Sequence, residues 1–333
     1  MSPRRRLPAE WEPHQATWLS WPHNRETWPQ QLAAAEQALA QAVGYLQQGE
    51  VVHINVLDEA HQAHVQTLLG DCTNVIFHIL PTNDAWCRDH GAIFIEEDQK
   101  LVATCWQYNA WGQKYPPWDR DQQVARQMAA ILGVPCLTFD LVLEGGAIES
   151  NGQGTLLASR SCLLHPQRNP GLTTAQWDAI FREVFGAAQV IWLDVEIQGD
   201  DTDGHVDVTT RFVGPDTLVV AREVNLGDPN YPALEANWQQ LQAIAATQEW
   251  QLIALPMPQP VCQHGQRLPA SYANFYIGNQ VVLVPTFADP QDEVALSLLQ
   301  KCFPERRVVG IDSRAIIEGL GGLHCLTQPV PAI

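Results

Sequence analysis

Several features that would classify a protein at once are missing from this sequence of 333 residues. No apolar run approaches the roughly 18 residues that a membrane-spanning helix needs, so we predict no membrane segment. The arginines at 4–6 are followed by residues 7–10 (LPAE) and not by an apolar stretch, which argues against a secretory signal. The cysteines form no C-x-x-C pair, which argues against a zinc ribbon or a thioredoxin-like motif. They are few and irregularly spaced, so we predict reduced thiols and a cytoplasmic location. They lie at positions 72, 87, 105, 136, 162, 262, 302 and 325.

Basic residues are also scarce: the sequence has 19 Lys and Arg against 37 Asp and Glu, a net charge of -18. Nucleic acids and anionic membranes are themselves negative, so we predict that neither is a partner. A small cation is a better candidate. The length and the 46% hydrophobic content allow a substantial core. No shift of composition marks a linker, so we predict one domain over residues 1–333.

What the sequence does contain is a recurring order of strand, strand, helix and strand. We predict helices from Pro29 to Gly49 and over 58–69, 119–132, 174–185, 232–247 and 290–302. We predict strands at 51–57, 75–80, 92–96, 101–108, 136–142, 147–150, 154–158, 189–193, 205–213, 217–222, 251–255, 272–277, 280–285 and 306–311.

Polar, glycine-containing stretches punctuate this order at intervals of 54 to 66 residues. Such regular spacing predicts internal structural repeats. Repeats arranged about an axis would bring the polar stretches to one end of the molecule. The residues that mark them are Asp89, Glu144, His205, Ser271 and Cys325.

The densest polar stretch is residues 199–207 (GDDTDGHVD). It leads into the predicted strand 205–213, in which alternate side chains share a face. We therefore expect His205 and Asp207 to point the same way at a strand end, where active sites tend to be built.

Aromatic residues are concentrated in residues 11–28, which we predict to be loop-like. Such a cluster either lines a pocket or packs in the core, and packing is the commoner explanation. The tryptophans are Trp11, Trp18, Trp21 and Trp28.

Cys325 follows Gly321 and Gly322, and a glycine-rich turn can present a nucleophile. A reactive cysteine needs an electropositive setting, and we predict that the other seven are inert. Clustered carboxylates repel one another, so a site that keeps them ionised needs a metal or a cationic substrate. The candidate carboxylates are Asp89, Glu144, Asp201 and Asp207.

The sequence favours a cationic substrate over a metal. Placing Gly204 at the sixth position of a calcium loop leaves Gly199 first and Thr210 last, where acidic residues are required. There is no H-E-x-x-H motif and no dinucleotide fingerprint. A guanidinium group is planar and pairs bidentately with carboxylates. A cysteine, a histidine and paired carboxylates suit its hydrolysis.

These residues stand in motifs that resemble the agmatine deiminases, of the bacterial peptidyl-arginine deiminase-like branch of the guanidino-modifying superfamily. The resemblance covers almost the whole chain. It implies a five-fold α/β propeller (pentein) of ββαβ units that uses no metal and no organic cofactor. The motifs are residues 8–14 (PAEWEPH), 83–89 (NDAWCRD), 144–146 (EGG), 201–207 (DTDGHVD), 270–275 (ASYANF) and 321–325 (GGLHC).

The resemblance also implies roles for single residues. Cys325 would be the nucleophile and His205 the general acid and base. Asp89 and Asp207 would hold the guanidinium, and Glu144 would support His205 or the substrate. The expected substrate-binding residues are Asp201, Trp86, Asp84 and Trp21. Two segments depart from the family pattern, His90-Gly91-Ala92 after the Arg-Asp pair and the stretch 319–322 (GLGG). Both bear on the loops that shape the pocket.

We therefore expect a deiminase that converts agmatine and water to N-carbamoylputrescine and ammonia, a step from arginine to putrescine. Three alternatives stay open: the same chemistry on free or peptidyl arginine, a guanidine- or polyamine-binding protein without turnover, and a metal hydrolase built on the acidic stretch. The expected partner is a small cationic guanidino compound, and a homodimer is a candidate assembly.

Overall fold

The computed structural model describes residues 3–333, which form a mixed α/β structure with several small sheets. The strands are β1 (Arg5–Arg6), β2 (His14–Ser20), β3 (Val51–Val56), β4 (Val75–Ile79), β5 (Ile93–Glu97), β6 (Lys100–Gln107), β7 (Cys136–Val142), β8 (Ile148–Ser150), β9 (Thr155–Ser159), β10 (Gln189–Leu193), β11 (Thr210–Gly214), β12 (Thr217–Arg222), β13 (Gln251–Pro256), β14 (Cys262–Gln263), β15 (Gln266–Arg267), β16 (Tyr276–Ile277), β17 (Val281–Thr286), β18 (Arg307–Asp312) and β19 (Thr327–Pro331). The helices are α1 (Leu32–Leu46), α2 (Glu59–Leu69), α3 (Cys87–His90), α4 (Ala110–Gln113), α5 (Asp121–Leu132), α6 (Arg160–Leu163), α7 (Thr174–Phe185), α8 (Tyr231–Gln248) and α9 (Asp292–Cys302). Most of the predicted elements are confirmed within about two residues of their ends.

One pattern of strand pairing recurs through the described residues. In each unit the first strand pairs antiparallel with a middle strand, and the middle strand pairs parallel with a third. A helix lies between the middle and third strands, because a parallel connection must cross back over the sheet. The units are β5-β6-β7, β8-β9-β10, β11-β12-β13, β16-β17-β18 and β19-β2-β3, with helices α5, α7, α8, α9 and α1 respectively.

The crossover helices follow from simple sequence signals. Helix α7 begins with a capping box, in which Thr173 and Gln176 satisfy each other's backbone N–H groups. It ends at Gly186, whose φ of 65° is the left-handed conformation that glycine adopts at helix ends. Its buried face, which includes Trp177 and Phe181, packs in a core with β9 and β10.

The last unit joins the two ends of the chain. Strand β19 pairs antiparallel with β2, and β2 pairs parallel with β3. This closure places Cys325, two residues before β19, among residues from the first half of the chain.

The structure corrects the prediction that residues 11–28 are loop-like. His14–Ser20 is β2, which is paired on both sides, and all its side chains except that of Gln15 are buried. A strand buried on both faces shows no alternation of polar and apolar residues, so its pattern does not identify it.

The predicted strand 205–213 is also wrong in its first half. Val206–Val208 forms a 3₁₀ turn, and β11 begins only at Thr210. His205 and Asp207 therefore share no strand face. The predicted strand 272–277 is reduced to Tyr276–Ile277.

The prediction of reduced thiols is wrong for one pair. Cys105 and Cys136 form a disulfide between the neighbouring strands β6 and β7, with their Cα atoms 6.4 Å apart. They are separated by 31 positions along the chain, so their spacing gave no sign that pairing of the strands brings them together. Over residues 3–333, no helix combines the length and the apolar character that crossing a bilayer requires.

Candidate active site

The five polar stretches of the sequence meet at one place. Each of the five units contributes the residues that come just before its first strand, and these residues are buried. The prediction that the polar stretches converge agrees with this arrangement, except that Ser271 is replaced by its neighbour Asn274. The contributing residues are Asp89 before β5, Glu144 before β8, His205 and Asp207 before β11, Asn274 before β16 and Cys325 before β19.

A pocket of about 910 Å³ leads to this cluster. We call five of its buried lining residues the floor: Trp86, Asp89, Tyr108, Trp111 and Cys325. We call five of its exposed lining residues the mouth: Arg25, Glu26, Tyr115, Asp119 and Arg120. His205 and Asp207 are fully buried beside the floor.

His205 is held by a carboxylate that is itself held by an arginine. Its Nε2 atom lies 2.9 Å from Glu144 Oε2. Arg168 donates to Glu144 Oε1 at 2.8 Å, and all three side chains are buried. Burial works against a charged Glu144, but the charge of Arg168 and the contact with His205 lower its pKa to about 2. Of the two alternatives for Glu144, the geometry favours support of His205.

The other nitrogen of His205 is unpartnered within residues 3–333. Nδ1 lies 3.7 Å from Asp89 Oδ1, which is too long for a hydrogen bond. Burial lowers the pKa of His205, but the charge of Asp89 and the contact with Glu144 outweigh burial and raise it well above the ordinary value. His205 thus presents a protonated nitrogen that could act as an acid.

Asp89 is held by neutral donors. Trp111 Nε1 donates to its Oδ2 at 3.0 Å, and the backbone N–H of Gly146 donates to its Oδ1 at 3.0 Å. Burial raises the pKa of Asp89 to about 6, although the charge of His205 opposes this. Trp111 sits in α4, where Ala110, Trp111, Gly112 and Gln113 all have positive φ values. This left-handed turn directs the indole to the floor.

Asp207 is held by a histidine. His324 Nδ1 lies 2.7 Å from Asp207 Oδ2, while Asp207 Oδ1 has no partner within the described chain. Burial raises the pKa of Asp207, but the hydrogen bond and charge of His324 outweigh it, so the net shift is downward.

Cys325 lies between Asp207 and Asn274. Its Sγ atom is 3.8 Å from Asp207 Oδ2 and 3.4 Å from Asn274 Nδ2. Burial and the carboxylates of Asp207 and Asp89 raise the pKa of the thiol well above its ordinary value. A bound cation would lower it, because positive charge favours the thiolate.

Glycines give the cluster its close spacing. A Cβ atom on Gly146 would collide with His205 Nδ1 and press on the carboxylates of Asp89 and Asp207 at 3.1 Å. A Cβ atom on Gly321 would overlap the Trp86 ring. These contacts explain why Glu144 and Cys325 stand beside glycine pairs.

Three of the four predicted substrate-binding residues lie where the sequence analysis placed them. Asp84, Trp86 and Asp201 line the pocket. Asp84 accepts from Thr27 at 2.5 Å, and burial raises its pKa. Asp201 accepts from Lys114 at 3.3 Å and from the Tyr115 hydroxyl.

The assignment of Trp21 to the substrate site is wrong in position. Trp21 is 1% exposed, donates to Glu36 at 2.9 Å and does not line the pocket. It packs in a hydrophobic core, the commoner use of a buried tryptophan.

Several residues of the cluster were not predicted from the sequence. Cys162 was expected to be inert, yet its thiol lies 3.1 Å from Glu144 Oε2. Asn274, Glu10 and His324 stand in motifs that carry the family resemblance, so the sequence could have identified each of them. Arg168 and Trp111 had none, because long-range folding alone brings them to the site.

One group in the described part of the chain has the spacing of metal ligands: Glu144, Cys162 and His205, whose donor atoms lie within 4.8 Å of one another. Arg168 already bonds both oxygens of Glu144, and burial raises the pKa of Cys162 to about 12. A thiol ligand must lose its proton, so this group does not favour a metal. The acidic stretch does not favour a metal either, because side-chain cations already pair with its carboxylates: Asp203 with Arg168 at 2.6 Å, and both Asp201 and Asp203 with Lys114.

Comparison with known proteins agrees with this geometry. The model of the Porphyromonas-type peptidyl-arginine deiminase family matches residues 6–331. An agmatine deiminase of Ectopseudomonas mendocina is 36% identical over 352 residues, which cover 98% of this chain and 95% of the relative.

Two solved structures are similar over nearly their whole length. A variant agmatine deiminase of C. jejuni with substrate bound has a TM-score of 0.92 at 31% identity, and the match covers 99% of this chain and 97% of that one. The agmatine deiminase of Enterococcus faecalis has a TM-score of 0.90 at 28% identity, with 98% and 96% covered. The chain therefore belongs to the Porphyromonas-type peptidyl-arginine deiminase family.

Proposed function

We propose that this protein hydrolyses agmatine to N-carbamoylputrescine and ammonia through a covalent intermediate on Cys325. Its family relationship makes it a hydrolase of amidine carbon–nitrogen bonds. The observation that carries the finer proposal is the buried cluster itself. A thiol, a protonated histidine and two carboxylates converge there. His205 Nδ1 and Asp207 Oδ1 are left without partners in the described chain.

In this mechanism the guanidinium lies between Asp89 and Asp207, which hold it by charge-assisted hydrogen bonds. Its positive charge lowers the pKa of Cys325, so the thiol loses its proton to solvent, and the thiolate attacks the central carbon. The tetrahedral intermediate breaks its bond to one terminal nitrogen, which takes a proton from His205 and leaves as ammonia. A thiouronium cation remains on Cys325.

Hydrolysis then reverses the role of His205. The now neutral imidazole takes a proton from water, and the resulting hydroxide adds to the carbon of the thiouronium. Collapse breaks the carbon–sulfur bond, which releases N-carbamoylputrescine and returns Cys325 to its starting state. Glu144 and Arg168 stay fixed, so His205 can change its protonation without moving.

The charges along the pocket favour agmatine over arginine. An agmatine tail ends in an ammonium, whereas an arginine tail carries a carboxylate. The less exposed lining residues Asp84 and Asp201 are acidic, whereas burial raises the pKa of Asp121 to about 8. The nearby Lys114 is already paired with Asp201 and Asp203. Arg25 and Arg120, which form no ion pair with any residue of the described range 3–333, lie at the exposed mouth. Free or peptidyl arginine could use these, so arginine remains the second candidate.

The direct test is ammonia release from agmatine, free arginine and a peptidyl arginine, measured side by side. We expect kcat/KM to be highest for agmatine. Higher activity on free or peptidyl arginine would identify that compound, and not agmatine, as the substrate. No ammonia release from any of the three would favour a binding protein.

We propose that no metal takes part. Protein treated with chelator should keep its full turnover, because Arg168 supplies the charge that Glu144 needs. Loss of turnover that zinc or manganese restores would favour the metal hydrolase.

We also propose that the five units form a five-fold propeller and a single catalytic domain over residues 1–333. The recurring strand pairing and the convergence of the five polar stretches support this arrangement. A cytoplasmic location and a homodimer remain predictions from the sequence.

A further inference from the structure

A row of buried charged groups extends from Asp207 away from the pocket, and the proposed chemistry leaves it without a role. His324 lies in the middle of this row. Its Nδ1 is 2.7 Å from Asp207 Oδ2, and its Nε2 is 2.7 Å from Glu10 Oε2. His324 is 1% exposed, and Asp207 is fully buried.

Both ring nitrogens of His324 thus face carboxylate oxygens. An ionised carboxylate only accepts hydrogen bonds, so two such contacts require a ring that donates from both nitrogens, which is the imidazolium form. A backbone contact fixes the residue as well, because Asn274 Oδ1 accepts from the His324 N–H at 3.0 Å.

With all three of the surrounding carboxylates ionised, the charges around His324 balance in this form. Glu10 accepts from Arg88 at 2.7 Å and from Arg211 at 2.8 Å, and Arg211 also donates to Glu149 at 3.0 Å. The group then contains three negative side chains and three positive ones. A buried group with a net charge is costly, so a neutral His324 would leave one carboxylate uncompensated. The six residues are Glu10, Glu149, Asp207, Arg88, Arg211 and His324.

We propose that His324 is a positioning residue that bridges Glu10 and Asp207 as an imidazolium, and so keeps Asp207 ionised with its Oδ1 free to accept from the guanidinium. This inference rests on the proposed deiminase function. His324 touches no reacting atom and acts through Asp207.

Other charged groups near Asp207 do not replace His324. Asp89 is a carboxylic acid, the raised pKa of Cys325 keeps its thiol neutral, and Asn274 contacts only the backbone carbonyl of Asp207 at 3.5 Å. His205 is bonded to Glu144, and Arg211 is bonded to Glu10 and Glu149. His324 therefore supplies the one cationic hydrogen bond that Asp207 receives within residues 3–333.

The far end of the row reaches a second cavity. Glu10 and Arg88 line a space of about 70 Å³, together with Glu149 and His14. A space of this size holds water. Water there would let the row exchange protons by a route other than the pocket.

The test is the pH dependence of kcat/KM in His324→Gln. Glutamine is similar in length, but it is neutral and cannot donate to two carboxylates from opposite sides. Without the imidazolium, only the more distant charges of His205 and Arg211 oppose burial, so the pKa of Asp207 rises. We expect kcat/KM to fall roughly 10- to 100-fold near neutral pH. We expect the acid limb, which Asp89 sets in the wild type, to move up by about one pH unit because the pKa of Asp207 rises past that of Asp89.

A matched control is His53→Gln. His53 is also a buried histidine, but it stacks on Trp18 and contacts His78, away from the pocket. We expect it to keep the wild-type profile. A folded His324→Gln protein with the wild-type acid limb would overturn the proposal, even if its activity were uniformly lower, because a structural defect lowers activity without moving the limb.

Glu10→Gln provides a second variant should His324→Gln fail to fold. Without the Glu10 carboxylate, His324 loses the partner that holds its second ring proton and becomes neutral. Asp207 then keeps only a neutral hydrogen bond, so the acid limb should move in the same direction by a smaller amount. A folded Glu10→Gln protein with an unmoved limb would then overturn the proposal.

Alkylation of Cys325 by 2-chloroacetamidine, whose amidinium resembles the substrate, separates this inference from the proposed function. In the wild type the alkylation rate should show the same acid limb as turnover, and in His324→Gln both limbs should move together. A wild type that is neither alkylated at Cys325 nor active on agmatine or arginine would contradict the proposed function. A wild type that does both, with an unchanged profile in His324→Gln, would contradict only the role of His324.

Discussion

Asp89 and Asp207 are expected to hold the same guanidinium, yet their surroundings differ. Both are buried, and they approach the same side of Gly146. Neutral donors hold Asp89, namely the Trp111 indole and the Gly146 N–H, and its pKa is raised to about 6. His324 holds Asp207, and the pKa of Asp207 is lowered.

The difference shows what a buried carboxylate needs in order to stay charged. Two good hydrogen bonds from neutral groups do not offset the loss of water around Asp89. One contact with a histidine that is fixed by a second carboxylate does so for Asp207. Asp207 therefore stays ionised to a lower pH than Asp89, whose charge depends on pH and on the cation of the substrate.

The largest expected effect comes from a change that disturbs both carboxylates at once. In Gly146→Ala the new methyl group would push against His205, Asp89 and Asp207. We expect turnover to fall below detection while the protein still folds, because misplacing reacting groups by about 1 Å can cost roughly 100-fold for each group. The measurement is ammonia release, with folding checked by circular dichroism.

Gly44→Ala is the matched control. Gly44 lies in α1, and a Cβ atom there would meet nothing within 4 Å. This variant should keep full turnover, and its free energy of unfolding should increase by roughly 1 kcal/mol, since alanine is the better helix former. Normal turnover in Gly146→Ala would mean that the two carboxylates are not spaced as described.

The next effect separates the two carboxylates. Asp207→Asn should lower kcat/KM roughly 100-fold or more at every pH, because a charge-assisted hydrogen bond of about 1.5–3 kcal/mol and transition-state positioning are both lost. Asp89→Asn should be comparably damaging at pH 8 but much less so at pH 5, where the wild-type Asp89 is already protonated. The two penalties are measured as ratios of kcat/KM over that range. If the loss of kcat/KM changes with pH in the same way in both variants, the two carboxylates do not differ as described.

A smaller effect concerns the wild-type enzyme alone. Asp89 has a raised pKa, so it is ionised above about pH 6 and neutral below. We expect kcat/KM to fall as pH drops through about 6 and to depend on the loss of one ionised group. A flat profile down to pH 5 would show that Asp89 stays charged or is not needed.

The smallest effect comes from one neutral donor. Trp111→Phe removes the indole N–H from Asp89 while keeping an aromatic ring in the floor. The lost hydrogen bond is worth about 1 kcal/mol, which corresponds to roughly a fivefold drop in kcat/KM. The acid limb should move to higher pH, because the indole hydrogen bond lowers the pKa of Asp89. Trp21→Phe is the control, since Trp21 lies outside the pocket, and it should leave the limb in place.

Much of this arrangement could be predicted from the sequence, because its signals are local. The helix α7 shows its cap at Thr173 and its end at Gly186, so its bounds follow from nearest neighbours. The polar stretches recur at near-constant spacing, so their convergence follows from the repeat. The residues Asp89, Glu144, His205 and Cys325 stand in motifs that carry the family resemblance.

The parts that escaped prediction depend on contacts between distant segments. Strand β2 is buried on both faces only because β19, from the other end of the chain, pairs with it. Arg168 reaches Glu144 from 24 positions away, and Trp111 reaches Asp89 through a left-handed turn that its sequence does not announce. Trp21 was assigned to the pocket because a dense aromatic segment looks the same whether it packs inward or lines a cavity.

The role of Cys325 is tested most directly by its covalent state during turnover. Wild-type protein mixed with agmatine, quenched in acid within the first turnovers and digested, should carry an added amidino group on the peptide that contains Cys325. The peptides with Cys72, Cys87 and Cys162 should stay unmodified, and Cys325→Ser should bind agmatine without releasing ammonia. A Cys325→Ser protein that turns over agmatine at the wild-type rate would contradict the account.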